Sequence, residues 1–294
     1  MTRPLVSALV VSYNVREQLL ATLEAYYSAC GAEAEVIVVD NASSDGSADA
    51  VEQTFPETKL IRLNQNVGFG SANNAGLEKA TGELVLLLNP DVLVKDGCVD
   101  TLAGFLATTP EAGAVGPRLE RPDGRLDLAA RRALPSPLSA FYRFAGLSRM
   151  FPKSPRFNRY NLGDKPADSV HEIESGTAAC LMVRRTAIDQ VGFFDPQFFM
   201  YGEDLDLCFR LRKGGWKIFY EPAARAVHLK GSSTSQATGR MLYEFHRAMW
   251  LFHRKHYAAG TPAIGNVIVW GGIWARWAAL SARALITGER RVSP

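Results

Sequence analysis

Glu35-Val-Ile-Val-Val-Asp-Asn-Ala-Ser-Ser-Asp-Gly-Ser47 begins as a β-branched run and turns polar at Asp40. A strand covered on both faces reads this way. Ser47 to Thr54 then carries helix-like spacing, and Asp45 or Ser47 is placed to cap it. The same unit recurs on either side. Leu5 to Val11 precedes a helical pattern over Val15 to Ala29, and Lys59 to Leu63 precedes one over Ser71 to Ala80. Gly82 follows where a helix C-cap would sit, and Leu84 to Leu88 is the next apolar run. Alternating strands and helices imply right-handed crossovers and an α/β fold with a mostly parallel central sheet flanked by helices. In such sheets ligands bind beyond the carboxyl ends of the strands. Ser12-Tyr-Asn14, Asp40-Asn41 and Asn89-Pro-Asp91 all fall there.

Beyond Arg118 the alternation stops, and Pro122, Pro135, Pro137, Pro152 and Pro155 interrupt the chain up to Lys165. Leu138 to Met150 has the pattern of a short amphipathic helix. Thr177 to Arg184 reads as a strand, Glu203 to Lys213 as a helix, Lys217 to Tyr220 as a short strand and Met241 to His256 as a helix. A Gly-interrupted apolar region runs from Ile264 to Ile286.

Composition excludes several classes. The 294 residues are 47% hydrophobic and 21% charged, too apolar for a mainly disordered chain. A mean hydropathy of -0.06 argues against a polytopic membrane protein. A formal charge of +3 gives no reason to expect a nucleic-acid partner. Cys30, Cys98, Cys180 and Cys208 stand far apart, as core residues of a reduced, cytoplasmic chain do. The run after Arg3 is short and leads into Ser-Tyr-Asn, so it reads as a buried first strand rather than a signal peptide.

Three groups of residues carry candidate chemistry. Asn66-Val-Gly-Phe-Gly-Ser-Ala-Asn-Asn-Ala-Gly76 lets backbone approach a ligand and opens a helix whose free N–H groups suit a phosphate. Ordinary turn chemistry is the alternative. Asp91, after a buried strand, suits a divalent metal bridging two phosphates, or equally an Asx turn. Glu203, Asp204 and Asp206 gather three acids at a helix start. Capping explains one or two of them, and a general base in an aromatic, Gly-rich wall explains the rest. His228, taken alone, reads as structural.

Seven motifs occur in order: Val11-Ser-Tyr-Asn14, Val38 to Ser47, Asn66 to Gly76, Leu88-Asn-Pro-Asp91, Glu174 to Arg184, Gly192-Phe-Phe-Asp-Pro196 and Tyr201-Gly-Glu-Asp-Leu-Asp206. Together they resemble the family-two inverting glycosyltransferases of GT-A (Rossmann-like) fold, rhamnosyltransferase-like branch, over about Val6 to Ser233. The resemblance implies that Ser12, Asn14 and Asp40 hold the nucleoside of a dTDP- or UDP-sugar, with Asn66, Gly68, Asn74 and Asn89 near the nucleotide and its phosphates. It implies Mg2+ or Mn2+ on Asp91 and His228, with Asn89 standing where the family's Asp-x-Asp motif has its first carboxylate. Asp204 matches the catalytic base, Glu203 its orienting partner, and Thr177 lines the acceptor side. The implied activity moves a sugar, plausibly rhamnose, to a glycan or lipid-linked acceptor in cell-surface polysaccharide synthesis. A catalytically weak nucleotide-sugar or glycan-binding module of the same fold is the alternative.

The expected domain is residues 1–239, split into a nucleotide-sugar half (1–117) and an acceptor and catalytic half (118–239). Residues 240–294 form a basic amphipathic C-terminal helical extension. Positions 256–275 are uncharged but contain Pro262, Asn266 and four glycines, which argues against spanning. Arg276 and Arg283 recur on one helical face near Trp270, Trp274 and Trp277, a pattern that suits a helix in a membrane interface. A helix packed on the domain or at a homodimer contact is the alternative. Charge divides unevenly: residues 1–117 carry a net −9, 118–165 +7, 166–239 −1 and 240–294 +6. If the two basic segments meet, they suit anionic headgroups or a lipid diphosphate on the inner face of the cytoplasmic membrane.

Overall fold

The computed structural model describes residues 6–30, 34–136, 138–139, 142, 146–229 and 239–287. Parts of the expected 138–150 helix therefore lie outside the described residues, as does Ser233 at the end of the motif region. Of the 138–150 segment, Leu147–Met150 forms one helical turn.

The opening stretch folds as read. Strand β1 (Val6–Ser12), helix α1 (Arg16–Ala29), β2 (Ala34–Asp40), α2 (Ser47–Thr54), β3 (Lys59–Arg62), α3 (Phe69–Leu77) and β4 (Leu84–Leu88) follow one another. Every residue of β1 and β4 is buried, which is why both are continuous apolar runs rather than alternating ones. Asp45 sits one residue before the Gly46 N-cap, and its carboxylate accepts from the Ser47 backbone and hydroxyl. Helix α3 ends earlier than its pattern, and the Gly82 N–H donates to the Ser7 hydroxyl instead of closing a helix.

Four further elements were not legible as regular structure: β5 (Val92–Val94), α4 (Cys98–Thr108), β6 (Ala112–Glu120) and β7 (His171–Ile173). Strand β8 (Cys180–Arg184) leads into α5 (Arg185–Val191), followed by α6 (Glu203–Lys213) and β9 (Lys217–His228). β9 continues eight residues past the expected end at Tyr220. A register shift opposite Pro117/Arg118 absorbs the irregular stretch around Pro222, and pairing with β6 resumes at Arg225.

The sheet order is β3-β2-β1-β4-β8-β6-β9-β5, with β7 also on β9. The half built from β3, β2, β1 and β4 is wholly parallel. In the other half β8 runs antiparallel to β4 and β6, while β6 and β9 are parallel. Helices α1 to α5 cover a core running from Leu9 and Ile37 through Leu86 to Val115 and Leu181.

Two long helices close the chain, α7 (Gly239–His256) and α8 (Ala263–Thr287). Helix α7 docks through Ala248, Leu251 and Phe252 onto Phe198, with Leu205 and Phe209 of α6 alongside. Asp206, fully buried on α6, receives Arg210 at 2.8 Å, Lys255 at 2.8 Å and His256 at 2.7 Å. That cluster ties α7 to α6, so Asp206 serves packing. Helix α8 packs back on α7: His253 meets Asn266, Tyr243 meets Trp274 and Trp277, and Arg276 reaches Nε2 of His246 at 2.8 Å. The Arg276 face thus turns inward, whereas Ile264, Val267, Ile268, Leu285 and Ile286 stay exposed. Among the described residues no helix is long and apolar enough to cross a membrane.

Candidate active site

The register between β2, β1 and β4 places their polar ends side by side. Ser12 lies opposite Asp40, and Leu88 opposite Val10, so Asn89 emerges next in the row. Asn41 N–H donates to the Ser12 carbonyl, joining the two chain exits. Asn14 accepts from the Ser44 N–H through its side chain and donates its own N–H to Ser43. Asp40 accepts from Ser43 N–H through one oxygen.

Several of the buried side-chain polar atoms without a hydrogen-bond partner lie at these exits or on the acid pair and its arginine. They include Oγ of Ser12, Oδ1 of Asp40, Oδ1 of Asn89, Oε2 of Glu203 and Nε of Arg132. Each such atom costs about 1–3 kcal/mol, which a fold tolerates where a ligand supplies the missing partner. Positive-φ backbone outside glycine occurs here as well as at Leu162. Of the non-glycine residues with positive φ, Asn14 and Ala42 flank the β1 and β2 exits, and Tyr201 precedes Gly202 and the acidic helix start.

The glycine-rich stretch is held by its own asparagines. Asn41 donates to Asn66 and accepts from Val67 N–H, while Gly68 N–H donates to Asn66. Gly68 has φ +88°, and a Cβ there would collide with the Phe199 carbonyl and lie 2.8 Å from its ring. Only glycine lets this loop lie against Phe199, whose carbonyl accepts from Phe69 N–H at 2.9 Å. The Asn74 amide is spent on the Phe194 backbone in both directions, so it anchors α3 to the Phe193–Phe198 loop.

Asp91 and His228, 137 positions apart in the chain, come together because β5 pairs with β9 at Val92 and His228. Nε2 of His228 is 3.3 Å from Asp91 Oδ1. Nδ1 lies 3.1 Å from Asp127 Oδ2, a residue the sequence reading did not single out. Burial works against the imidazolium, but hydrogen bonds to Asp127 and Asp91 outweigh it and raise its pKa above the ordinary 6.5. Two cis ligands about 2.1 Å from an octahedral ion are about 3 Å apart, so this pair fits a divalent cation that keeps phosphate and water ligands. Nitrogen beside oxygen favours Mn2+ over Mg2+. Among the described residues no group of three or more His, Cys, Asp or Glu forms a complete metal cage.

Asp204 and Glu203 open helix α6, preceded by Gly202 at φ +80°. Asp204 Oδ2 accepts from Arg132 Nη2 at 2.6 Å, and Oδ1 from the Leu205 N–H at 2.7 Å. Arg132 also donates to the Gly176 carbonyl, which places Thr177 beside this pair. The Ala179 carbonyl accepts from Asn89 N–H, so the acceptor-side loop adjoins the β4 exit. Glu203 is 7% exposed. Burial and then the neighbouring Asp204 charge push its pKa up to about 8. The two adjacent carboxyls are thereby differentiated: burial disfavours ionisation of Glu203, while Asp204 faces a guanidinium.

Arg132 and Asp127, both missed from sequence, lie in the Pro-interrupted segment. A basic pair, Arg131-Arg132, was the visible signal, but only Arg132 reaches an acid of the site. Arg131 Nη1 donates instead to the carbonyls of Lys165 and Pro166.

Residues 7–192 match the Glycosyl transferase family 2 domain. The chain belongs to glycosyl transferase family 2. Residues 169–289 match the related Glycosyl transferase family group 2. An N-acetylglucosaminyl-diphospho-decaprenol L-rhamnosyltransferase of Mycobacterium tuberculosis is 33% identical over 82% of this chain and 81% of its own. A low-salt glycan biosynthesis hexosyltransferase of Haloferax volcanii is 25% identical over 89% of this chain and 77% of its own. Among solved structures, a Pyrobaculum calidifontis mannosyltransferase in complex with GDP-Man and Mn2+ aligns with a TM-score of 0.59 at 21% identity, covering 98% of this chain and 80% of that one. GalNAc-T7 with UDP, GalNAc and Mn2+ aligns with a TM-score of 0.59 at 15% identity, covering 78% and 44%. These neighbours share the GT-A fold, and this family-two member is a glycosyltransferase.

Proposed function

We propose that this glycosyltransferase moves a hexose, rhamnose in the first instance, from a nucleoside diphosphate to a lipid-linked or polymeric glycan acceptor, with inversion at the anomeric carbon. The observation that carries the reading is the meeting of Asp91 with His228 at the sheet end whose residues Ser12, Asp40 and Asn89 keep unpartnered polar atoms. The acceptor class follows the rhamnosyltransferase relative, which acts on a diphospho-decaprenol by name.

In this assignment Ser12, Asn14 and Asp40 bind the nucleoside, and the Asn66–Gly68 loop brings backbone close to the diphosphate. Asp91 and His228 would hold a divalent cation, which would neutralise charge on the departing diphosphate. The acceptor oxygen attacks the anomeric carbon as the bond to the diphosphate oxygen breaks. The nucleoside diphosphate leaves with that electron pair, and the acceptor proton passes to the Asp204 carboxylate. Arg132 orients Asp204 and must yield one oxygen to the acceptor hydroxyl. Glu203, whose buried carboxyl resists ionisation, leaves Asp204 as the single base. Thr177, next to the Arg132 contact, lines the acceptor side.

The exposed apolar row on α8, together with the net +6 of residues 240–294, supports peripheral contact with an anionic membrane where a lipid-linked acceptor resides. The test is a transfer assay with dTDP-rhamnose and a synthetic polyprenyl-diphosphate sugar, with Mn2+ or chelator. Product of inverted configuration in the Mn2+ arm supports the reading. Nucleotide binding without transfer or donor hydrolysis, across a panel of nucleotide sugars, replaces it with the binding-module alternative.

A further inference from the structure

His228 is held from both sides. Its Nε2 meets Asp91 at 3.3 Å and its Nδ1 meets Asp127 at 3.1 Å. Asp127 is 1% exposed and anchored on every side that the contacts show. Its backbone N–H donates to the Leu119 carbonyl at the end of β6. Its second oxygen accepts from the Ala129 N–H and caps the short turn Leu128–Ala130. The carboxylate is thus held by the turn, and its backbone by the sheet, independently of the imidazole.

An imidazole can coordinate a cation through Nε2 only if that nitrogen keeps its lone pair, which requires the proton to sit on Nδ1. A carboxylate accepting from Nδ1–H selects that tautomer, stops ring rotation and makes the other nitrogen more basic. We propose that Asp127 is a positioning residue, which accepts the Nδ1–H of His228 and so presents Nε2 beside Asp91 to a divalent cation. The inference rests on the cation role assigned above to Asp91 and His228. It adds a residue from the Pro-interrupted segment, over 100 positions from its partner, that touches neither substrate nor cation.

The test reads cation binding rather than turnover. Free Mn2+ is followed by electron paramagnetic resonance in titrations of the full chain with dTDP present. The proteins are wild type, Asp127→Asn, Asp127→Ala, His228→Ala and the double variant Asp127→Ala with His228→Ala. Loss of a residue that orients a metal-binding histidine weakens affinity by ~10–100-fold, so Asp127→Ala is expected in that range. Asp127→Asn, which keeps an acceptor oxygen but not the charge, falls between it and wild type and serves where the alanine variant fails to fold. In the His228→Ala background, removing Asp127 changes affinity by less than ~2-fold, because a positioning residue has nothing left to position. Nitrogen-15 shifts of His228 in the metal-free protein, at a pH high enough to leave the ring neutral, report the Nδ1–H tautomer in wild type and a mixture in the Asp127 variants. If His228→Ala weakens Mn2+ binding while both Asp127 variants match wild type, the positioning role is overturned and the cation assignment stands. An Asp127 effect of full size in the His228→Ala background overturns it likewise. Unchanged Mn2+ affinity in His228→Ala overturns both.

Discussion

Asp206→Asn tests how the C-terminal helices are held to helix α6. The carboxylate is fully buried and receives His256, Arg210 and Lys255. Burial opposes its ionisation, yet the hydrogen bond from His256 and the charges of Arg210 and Lys255 prevail and hold its pKa at about 2, against an ordinary 3.8. At about 1.4 kcal/mol per pH unit that difference is worth ~2–3 kcal/mol of folding stability at neutral pH. A folded-state pKa that is depressed gives stability present in full above the unfolded value and lost as pH falls through the folded one. Wild type should therefore exceed Asp206→Asn by ~2–3 kcal/mol at pH 7 and pH 5, and by only about half of that at pH 3. Arg210 and Lys255 are not stranded by the change. Arg210 keeps the carbonyls of Val191, Gly192 and Phe193, and Lys255 keeps Asp195, so the larger penalty of an unpaired buried charge does not apply to them. Urea unfolding at the three pH values measures the gap, and amide exchange over 239–256 reports whether helix α7 loosens first. A gap that does not narrow at pH 3, or one below ~0.5 kcal/mol at pH 7, would refute an ionic origin and leave apolar contacts with Phe198 as the docking force.

Four further outcomes are expected. Asp204→Asn lowers kcat by ~10²-fold or more while nucleotide affinity survives, and near-normal turnover would remove the base assignment. Asp91→Ala abolishes the Mn2+-dependent gain in nucleotide affinity measured by calorimetry, and an unchanged gain would count against the cation role. Gly68→Ala, forced into a left-handed backbone against the Phe199 carbonyl, costs ~2 kcal/mol or more in thermal unfolding, and an unshifted Tm would show that the loop relaxes freely. Ile264→Glu with Ile268→Glu alters exposed side chains only and should cut flotation with anionic liposomes. Equal flotation would discard the membrane face.

The first half of the sheet was legible because each of its strands is buried on both faces and each helix between them has its own period. Those are local properties of the chain. Strand β1 needs no distant partner to read as apolar over seven residues. The second half was harder for the same reason. The β6 run includes Gly113, Gly116 and Pro117, and β9 carries Pro222, so propensity argues against strands that pairing nonetheless enforces. The tail shows a related limit. Helical spacing placed Arg276 and Arg283 on one face, but the His246 contact decides that the Arg276 side faces inward.

For the site, sequence by itself determined which side chains sit at strand exits: Ser12, Asn14, Asp40, Asn89 and Asp91, and the acid pair Glu203-Asp204 at a helix start. Strand direction and the period of two fix that, since the polar break after an apolar run marks the exit. Tertiary structure alone decided who meets whom. The β5–β9 pairing carries His228 to Asp91, the end of β6 brings Asp127 behind it, and an irregular segment delivers Arg132 to Asp204. Such contacts span from 72 to 137 positions, and they follow from the order in which strands pack. No local pattern encodes that order, because it is selected by burial of the whole core at once.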